Sequence, residues 1–211
     1  MIKDIHTHRL DGNLLESIFS YSMKDAVPAE AVYVSPGIHP WYLSDRSDLA
    51  RQLEWLEGQL ADSRMVALGE AGLDKLCVCP MDVQVDAFLA VARLAERMRM
   101  PLVIHCVKSA NELVALKKDV RPSVPWIIHG FRGKKELAAS LVGQGFYLSF
   151  GERYHEDALC AVPMERLLLE TDESDAPIEQ LYRRAAACRG CSADELQAQM
   201  GQTTKRLFFS R

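Results

Sequence analysis

Two histidines stand two residues apart near the start of the chain, within the stretch DIHTH at residues 4–8. Side chains at positions i and i+2 of a β-strand point to the same face of that strand. His6 and His8 therefore project side by side if the run Met1–Ile5 opens a strand. Neutral imidazole binds zinc and similar divalent ions, so this spacing indicates part of a metal site.

Further ligand-type residues follow other short apolar runs along the chain. They are His39 after Ala31–Ser35, Glu70 after Met65–Leu68, His105 after Pro101–Ile104, His129 after Trp126–Ile128, and Asp172 after Arg166–Leu169. Any one of them alone is equally well explained as a packed histidine or as a salt-bridged or capping carboxylate. The carboxyl ends of parallel strands meet at one rim of a barrel, so the whole set is expected to converge there. Convergence of this kind favours a metal site over unrelated structural roles.

Four imidazoles and two carboxylates in one place suit one or two divalent cations such as Mg²⁺, Mn²⁺ or Zn²⁺. A carboxylate that lies between two histidine pairs can bridge two ions about 3.5–4 Å apart. Two ions together lower the pKa of water and contact both oxygens of an ester displacement. Hydrolysis is therefore the reaction class that these residue types predict.

The elements that position these residues alternate between short apolar runs and longer helical patterns. Strands are also predicted at Ser17–Tyr21 and Gly145–Leu148, which makes eight strands in all. The predicted helices are Leu49–Leu60, Val83–Met98, Ala110–Lys117, Lys134–Val142, Glu156–Val162, Ile178–Cys188 and Ala193–Phe208. This alternation predicts an α/β fold with a parallel sheet, and eight units predict a TIM-type (β/α)8 barrel.

The predicted barrel is short of helices near its N-terminus. Residues 9–13 and 22–30 have the composition of loops, so one or two outer helices are expected to be missing or vestigial there. The alternative is a doubly wound open sheet, which is disfavoured because no glycine-rich phosphate loop follows the first strand. A chain of 211 residues fits a single hydrolase domain that spans residues 1–211.

The composition is that of an ordinary globular protein, with 48% hydrophobic and 26% charged residues. A net charge of −4 excludes a broadly basic surface for nucleic acid, so any phosphate contact must be local. No apolar segment precedes the first motif, and no run of about 18 apolar residues occurs. We therefore expect a cytoplasmic protein that has no membrane contact and no obligate protein partner.

Six cysteines include two pairs whose spacing raises the question of zinc, Cys77 with Cys79 and Cys188 with Cys191. Neither pair has a second pair near it in the sequence, as the common structural zinc sites do. Free and mostly buried thiols are therefore the preferred interpretation.

With these residues in place, the chain resembles the TatD-type metal-dependent hydrolases of the amidohydrolase-like barrel superfamily. The matching segments run in the family's order from residue 4 to residue 172 and are DIHTH, GIHPW, GEAGLD, PLVIHC, IIHGFRG and LLLETD. A downstream KRLF at Lys205–Phe208 resembles the family's C-terminal helix. Members of the family are described as 3′–5′ deoxyribonucleases or, more broadly, as phosphoesterases.

The resemblance implies a site of two divalent ions, each held by a pair of histidines. The pairs are His6 with His8, which Asp172 would join, and His105 with His129. Glu70 would bridge the ions. Asp172 would also be the general base that accepts a proton from the attacking water.

Four rim residues are predicted to contact the substrate, and several of them depart from the family pattern. The family often shows HCFSG and an arginine two residues after the fifth-strand histidine, where this chain has HGFRG and Val107. Lys108 and Arg132 are therefore expected to supply the phosphate contact. Trp41, where many members carry a second histidine, either stacks on a base or packs against the barrel. His39 is expected to contact the substrate or a ligand residue rather than the metal.

The first and eighth strands of a closed barrel are neighbours, so His6, His8 and Asp172 are expected to meet where the barrel closes. Asp4 lies two residues before His6 and should face the same side, deeper in the barrel. It is expected to orient a ligand histidine as a supporting carboxylate.

The primary hypothesis is a hydrolase that acts on the end of a nucleic-acid strand or on a small phosphoester. An enzyme for small phosphomonoesters, or for amides or lactones as in the wider superfamily, is the alternative. Many amide-cleaving members bridge their ions with a modified lysine, where this chain has Glu70. A non-catalytic metal-binding scaffold is disfavoured because all six ligand-type positions are filled.

Overall fold

The computed structural model describes residues 1–210, and its eight parallel strands form a closed barrel. The strands are β1 (Asp4–Thr7), β2 (Ser17–Tyr21), β3 (Tyr33–Pro36), β4 (Leu68–Asp74), β5 (Leu102–Val107), β6 (Trp126–Ile128), β7 (Tyr147–Phe150) and β8 (Leu167–Leu169). Strand pairing runs through β1-β2-β3 and through β4-β5-β6-β7-β8. Parallel bridges between Val34 and Met65 and between Thr7 and Asp172 join the two runs. The predicted (β/α)8 barrel is therefore confirmed.

Among residues 1–210, seven α-helices surround the barrel. They are α1 (Arg46–Gln59), α2 (Met81–Met98), α3 (Ala110–Val120), α4 (Lys135–Gly143), α5 (Glu156–Ala161), α6 (Ile178–Arg189) and α7 (Ala193–Phe209). Within the described residues no helix lies between β1 and β3, which confirms the expected loss near the N-terminus. The connections there carry Gly12 in one and Pro28 in the other, residues that favour turns. None of the helices in residues 1–210 is both long and apolar enough to cross a bilayer.

Helix α2 shows how the sequence anchors the strand on which the site depends. Val83, Ala87 and Val91 recur at four-residue spacing, are all buried, and belong to the helix that packs on β4. Phe88 of the same helix packs edge-to-face on Trp126 of β6, with ring centroids 5.0 Å apart. Burial of each valine or phenylalanine contributes about 1.5–3 kcal/mol, so this face holds β4 firmly against the helix layer.

Strand β4 lies further along the chain than the apolar run Met65–Leu68 predicts. It covers Leu68–Asp74, including two glycines that are poor strand formers by themselves. Pairing with β5 overrides this propensity, since a Cβ at Gly72 would collide with the backbone of His105. Glu70 therefore lies inside its strand and not after it, as do His6 in β1 and His105 in β5.

All six cysteines have free thiols. The prediction that they are mostly buried is wrong, because only Cys79 is fully buried and Cys160 is exposed. Five of the six lie in loops or near helix ends, where helix-face burial does not extend.

Candidate metal centre

One oxygen of the buried Glu70 carboxylate faces the residues at the junction of β1 and β8. Oε2 of Glu70 lies 3.2 Å from His8 Nε2 and 3.3 Å from His6 Nε2. The Oδ1 atom of Asp172 lies 3.8 Å from His6 Nε2 and 3.9 Å from His8 Nε2. The structure thus brings together His6, His8 and Asp172 beside a single carboxylate oxygen, as expected for the residues of one ion.

The other oxygen of Glu70 faces a second group of imidazoles. Oε1 lies 2.6 Å from His129 Nε2, 2.7 Å from His105 Nδ1 and 3.0 Å from His39 Nε2. The two oxygens of one carboxylate therefore point to two different histidine groups. This is the arrangement that a carboxylate bridging two cations requires.

Closure of the barrel sets the position of Asp172. Its backbone N–H donates to the His6 carbonyl at 2.9 Å, and its carbonyl accepts from the His8 N–H at 3.1 Å. Asp172 adopts a left-handed backbone conformation with φ of 56°, which aspartate tolerates better than most residues. Both histidines and the aspartate are thereby fixed by the same pair of strands.

Two glycines in the sequence motifs permit the close packing around Glu70. A Cβ at Gly37 would collide with the backbone of Glu70, and one at Gly72 would collide with the backbone of His105. Glycine at these positions lets β3 and β5 approach β4 closely. His39 and His105 thereby come within reach of the same carboxylate oxygen.

Two carboxylates that the sequence reasoning missed hold the ligand histidines from behind. Asp74 Oδ2 lies 3.2 Å from His105 Nε2, and Glu170 Oε1 lies 3.2 Å from His129 Nδ1. Each carboxylate is positioned to accept a hydrogen bond from one ring nitrogen, which leaves the other nitrogen to bind an ion. Strand alternation could have predicted Asp74, because residues four apart in a strand, such as Glu70 and Asp74, point to the same face.

The hydrogen bonds of His39 indicate a donor rather than a metal ligand. Its Nδ1 accepts from the Trp41 backbone N–H at 3.1 Å, so the proton of the neutral ring resides on Nε2. That Nε2–H points at Glu70 Oε1, 3.0 Å away. The expectation that His39 is not a metal ligand stays a prediction, although the ring lies close enough to Glu70 and His105 for a shared ion.

The predicted contact between Asp4 and a histidine ring is not what the structure shows. The Asp4 carboxylate accepts hydrogen bonds from the Thr171 hydroxyl at 2.6 Å, the Thr171 N–H at 3.1 Å and the His6 N–H at 3.3 Å. Its side chain turns towards the residues that follow β8 and away from the imidazoles. Asp4 therefore supports His6 through the main chain and ties β1 to the Thr171 segment.

The electrostatics of the cluster fit bound cations. His6 is fully buried, and neither of its ring nitrogens has a hydrogen-bond partner. Burial, together with the neighbouring His129, lowers the pKa of His6. Burial opposes ionisation of Glu70, but His129 and His105 outweigh it and hold the pKa of this carboxyl well below its ordinary value. A neutral buried imidazole without a partner beside an ionised carboxylate is the donor set that a divalent ion satisfies.

Four sets of three side chains among residues 1–210 place their ligand atoms close enough to share an ion. The sets are His6, Glu70 and His129; His6, His8 and Asp172; His39, Glu70 and His105; and His129, Glu170 and Asp172. In each set the ligand atoms lie within 4.8 Å of one another. The residues present therefore fit divalent metal.

Of the four residues predicted to contact substrate, Trp41, Lys108 and Arg132 are exposed, whereas His39 is buried. Trp41 is 59% exposed, and its indole Nε1 donates to Asp74 Oδ2 at 2.7 Å. Its ring lies 5.0 Å from His39 and 5.7 Å from His105, measured between centroids. Lys108 and Arg132, which follow β5 and β6, are both exposed. Trp41 is therefore exposed and held by Asp74, and its contact with a substrate base stays a prediction.

Replacement of Glu170 by glutamine is expected to weaken metal binding about 10–100-fold. The carboxylate accepts from His129 Nδ1 and from the Gly130 N–H at 2.6 Å, and an amide in its place orients the ring less well. Metal titration of chelator-treated protein measures the effect. Glu173→Gln, an exposed glutamate on the same loop, is the matched control and should bind as wild type does. Equal affinity in both variants would contradict the supporting role of Glu170.

The chain is similar in sequence and in structure to a family of hydrolases. A model of the family described as TatD related DNase matches residues 13–209. The uncharacterized metal-dependent hydrolase YabD of Bacillus subtilis (strain 168) is 31% identical over 150 residues, which cover 67% of this chain and 58% of YabD. The 3'-5' ssDNA/RNA exonuclease TatD of Erwinia tasmaniensis is 27% identical over 93% of this chain and 85% of that protein.

A solved structure of similar fold covers nearly the whole chain. The crystal structure of YJJV, a TatD homolog from Escherichia coli K12, superposes with a TM-score of 0.79. The superposition covers 98% of this chain and 97% of that one, at 20% sequence identity. At this identity the likeness supports the barrel fold.

Proposed function

This chain belongs to the TatD-related DNase family, and we propose that it is a divalent-metal-dependent hydrolase of phosphoester bonds, acting as a 3′–5′ deoxyribonuclease. The observation that carries this proposal is Glu70, whose Oε1 and Oε2 face two separate histidine groups at 2.6–3.3 Å. One carboxylate shared between two ions suits the in-line displacement of a phosphodiester. The names of the relatives, which include an exonuclease and metal-dependent hydrolases, support the same reaction class.

The proposed ligands divide between the two oxygens of Glu70. His6, His8 and Asp172 would hold one ion, and His105 and His129 the other. Bound ions lower the pKa of water and neutralise charge on a phosphoryl group. Asp172, whose side chain is 26% exposed, would accept the proton of the attacking water. His39, whose Nε2–H is directed at Glu70 Oε1, would support the bridging carboxylate from the side of the second ion.

The proposed substrate is the end of a single strand. The exposed indole of Trp41 offers a stacking surface for a nucleobase, and such stacking tolerates any base. A cleft of about 520 Å³ beside Trp41 is lined by the cations Lys24 and Arg51 and by the carboxylates Asp45 and Asp48. Arg51 pairs with Asp48 at 2.6 Å, so Lys24 is the cation there that would contact a phosphate. Lys108 and Arg132 would contact the phosphate at the reacting end. A net charge of −4 argues against an extended grip on duplex DNA.

The purified protein is expected to carry up to two divalent ions per chain. Six ligand groups converge at the rim, and the buried His6 ring needs a partner for its nitrogens. Elemental analysis of protein purified without chelator measures the content. No bound metal, together with no activity on addition of Mg²⁺, Mn²⁺ or Zn²⁺, would contradict the proposal.

A metal-supplemented substrate panel tests the reaction and separates it from the alternative. The panel compares 3′- and 5′-end-labelled single-stranded DNA, a generic phosphodiester, phosphomonoesters and amides. Stepwise shortening from the 3′ end is the expected result. Turnover of phosphomonoesters or amides alone would favour the small-molecule hydrolase instead. The single domain over residues 1–211, the cytoplasmic location and the lack of an obligate protein partner stay predictions.

A further inference from the structure

Cys160 and Cys188 bring two thiols together on the outer helices α5 and α6. Their Sγ atoms are 2.8 Å apart, with Cys160 exposed and Cys188 partly exposed. None of the candidate metal groups among residues 1–210 includes a cysteine. A zinc site needs further ligands that this pair lacks, so the chemistry available to it is that of a dithiol.

The packing of the two helices holds the pair in place. Arg189 at the end of α6 donates to the Leu159 carbonyl of α5 at 2.7 Å. The thiol of Cys160 donates to the Cys188 carbonyl at 3.2 Å, and the thiol of Cys188 donates to the Glu156 carbonyl at 3.4 Å. Both sulfur atoms are therefore positioned by ordered backbone on both helices.

We propose that Cys160 and Cys188 form a reversible disulfide when the protein meets a small-molecule disulfide, and that this bond braces the segment between them. The sulfur atoms need to approach by less than about 1 Å to reach the disulfide bond length of about 2 Å. The two residues are 28 apart in the chain. The segment between them contains β8 and the proposed base Asp172, so the crosslink restrains the strand that carries one side of the metal centre.

The exchange is balanced in atoms and electrons. The exposed Cys160 thiolate attacks one sulfur of the small-molecule disulfide, forms a mixed disulfide and releases one small thiolate. The Cys188 thiolate then attacks the Cys160 sulfur, forms the internal bond and releases the second small thiolate. The protein loses two electrons and two protons, and the small disulfide gains them. Burial, and then the neighbouring Cys160, raise the pKa of Cys188 to about 12, so the second step should accelerate as the pH rises.

Oxidised glutathione applied to the full chain tests the proposal. Thiol counting and mass spectrometry of the wild type should show two reactive thiols lost and a mass lower by two hydrogen atoms, with dithiothreitol restoring both. Peptide mapping should join Cys160 to Cys188. Cys188→Ser should stop at a glutathione adduct on Cys160, Cys160→Ser should form no internal bond, and the control Cys191→Ser should still form it.

Two results would overturn the proposal. One is a wild-type protein that keeps all six thiols free or joins a different pair, such as Cys188 with Cys191. The other concerns stability. If the disulfide braces the segment, the oxidised wild type should unfold at a higher urea concentration than the reduced form. That difference should vanish in Cys188→Ser, and its absence from the wild type would contradict the bracing role.

Discussion

Replacement of Asp172 by asparagine is expected to lower kcat by about 10²–10⁴-fold while most of the bound metal remains. Asparagine keeps the size of the side chain and one ligand oxygen, but its amide does not accept a proton from water. Asp172 Oδ1 lies within 4 Å of both His6 Nε2 and His8 Nε2, at 3.8 and 3.9 Å, and the side chain reaches solvent. Asp172 is therefore proposed to serve both as a metal ligand and as the general base. Steady-state kinetics on end-labelled single-stranded DNA measures kcat, and elemental analysis of the same preparation measures the bound metal.

Asp175→Asn is the matched control for this experiment. Asp175 lies on the same loop and its side chain is fully exposed, and its contact with Arg9 is a long 3.8 Å. The control should retain wild-type kcat and metal content. If Asp172→Asn loses metal in proportion to its loss of kcat, Asp172 acts as a metal ligand and not as the base. Near-normal kcat would assign the base to another residue.

The sequence predicts the positions of those site residues that depend only on strand alternation and on closure of the barrel. His6 and His8 share a face because strand side chains alternate, and Asp172 joins them because the first and last strands of a closed barrel are neighbours. The contacts of both histidine rings with Glu70 Oε2 show the first relation, and the backbone bonds between Asp172 and the two histidines show the second. Missing helices near the N-terminus were equally visible, since turn residues occupy those connections.

Features that depend on tertiary packing are harder to predict from the sequence. Strand β4 lies beyond its apolar run because close backbone approach at Gly72, and not strand propensity, decides where it pairs. Asp4 turns towards Thr171 because that residue offers two donors, a choice that spacing in the chain does not reveal. Trp41 is held at the rim by the hydrogen bond from its indole to Asp74. Each case depends on a partner distant in sequence.

Replacement of Glu70 by glutamine is expected to have the broadest effect, since it alters both halves of the centre. Removal of a carboxylate that only hydrogen-bonds to a metal ligand already lowers metal affinity or activity about 10–100-fold. Loss of the bridging carboxylate should exceed that range for kcat/KM, and metal content should fall well below that of the wild type. The remaining imidazoles of His129 and His105 would also lose the anion that faces them at 2.6 and 2.7 Å.

Glu70→Asp separates the charge of this residue from its reach. Aspartate keeps the negative charge but is one methylene shorter, so it should reach one histidine group and not both, and retain about one ion where two are proposed for the wild type. Glu173→Gln, exposed on the rim loop, controls for loss of a carboxylate near the site and should behave as wild type. Metal analysis and kinetics on the same preparations decide the outcome. Full metal content and near-normal kcat/KM in Glu70→Gln would contradict a bridging role, because the amide cannot supply two anionic oxygens to two cations.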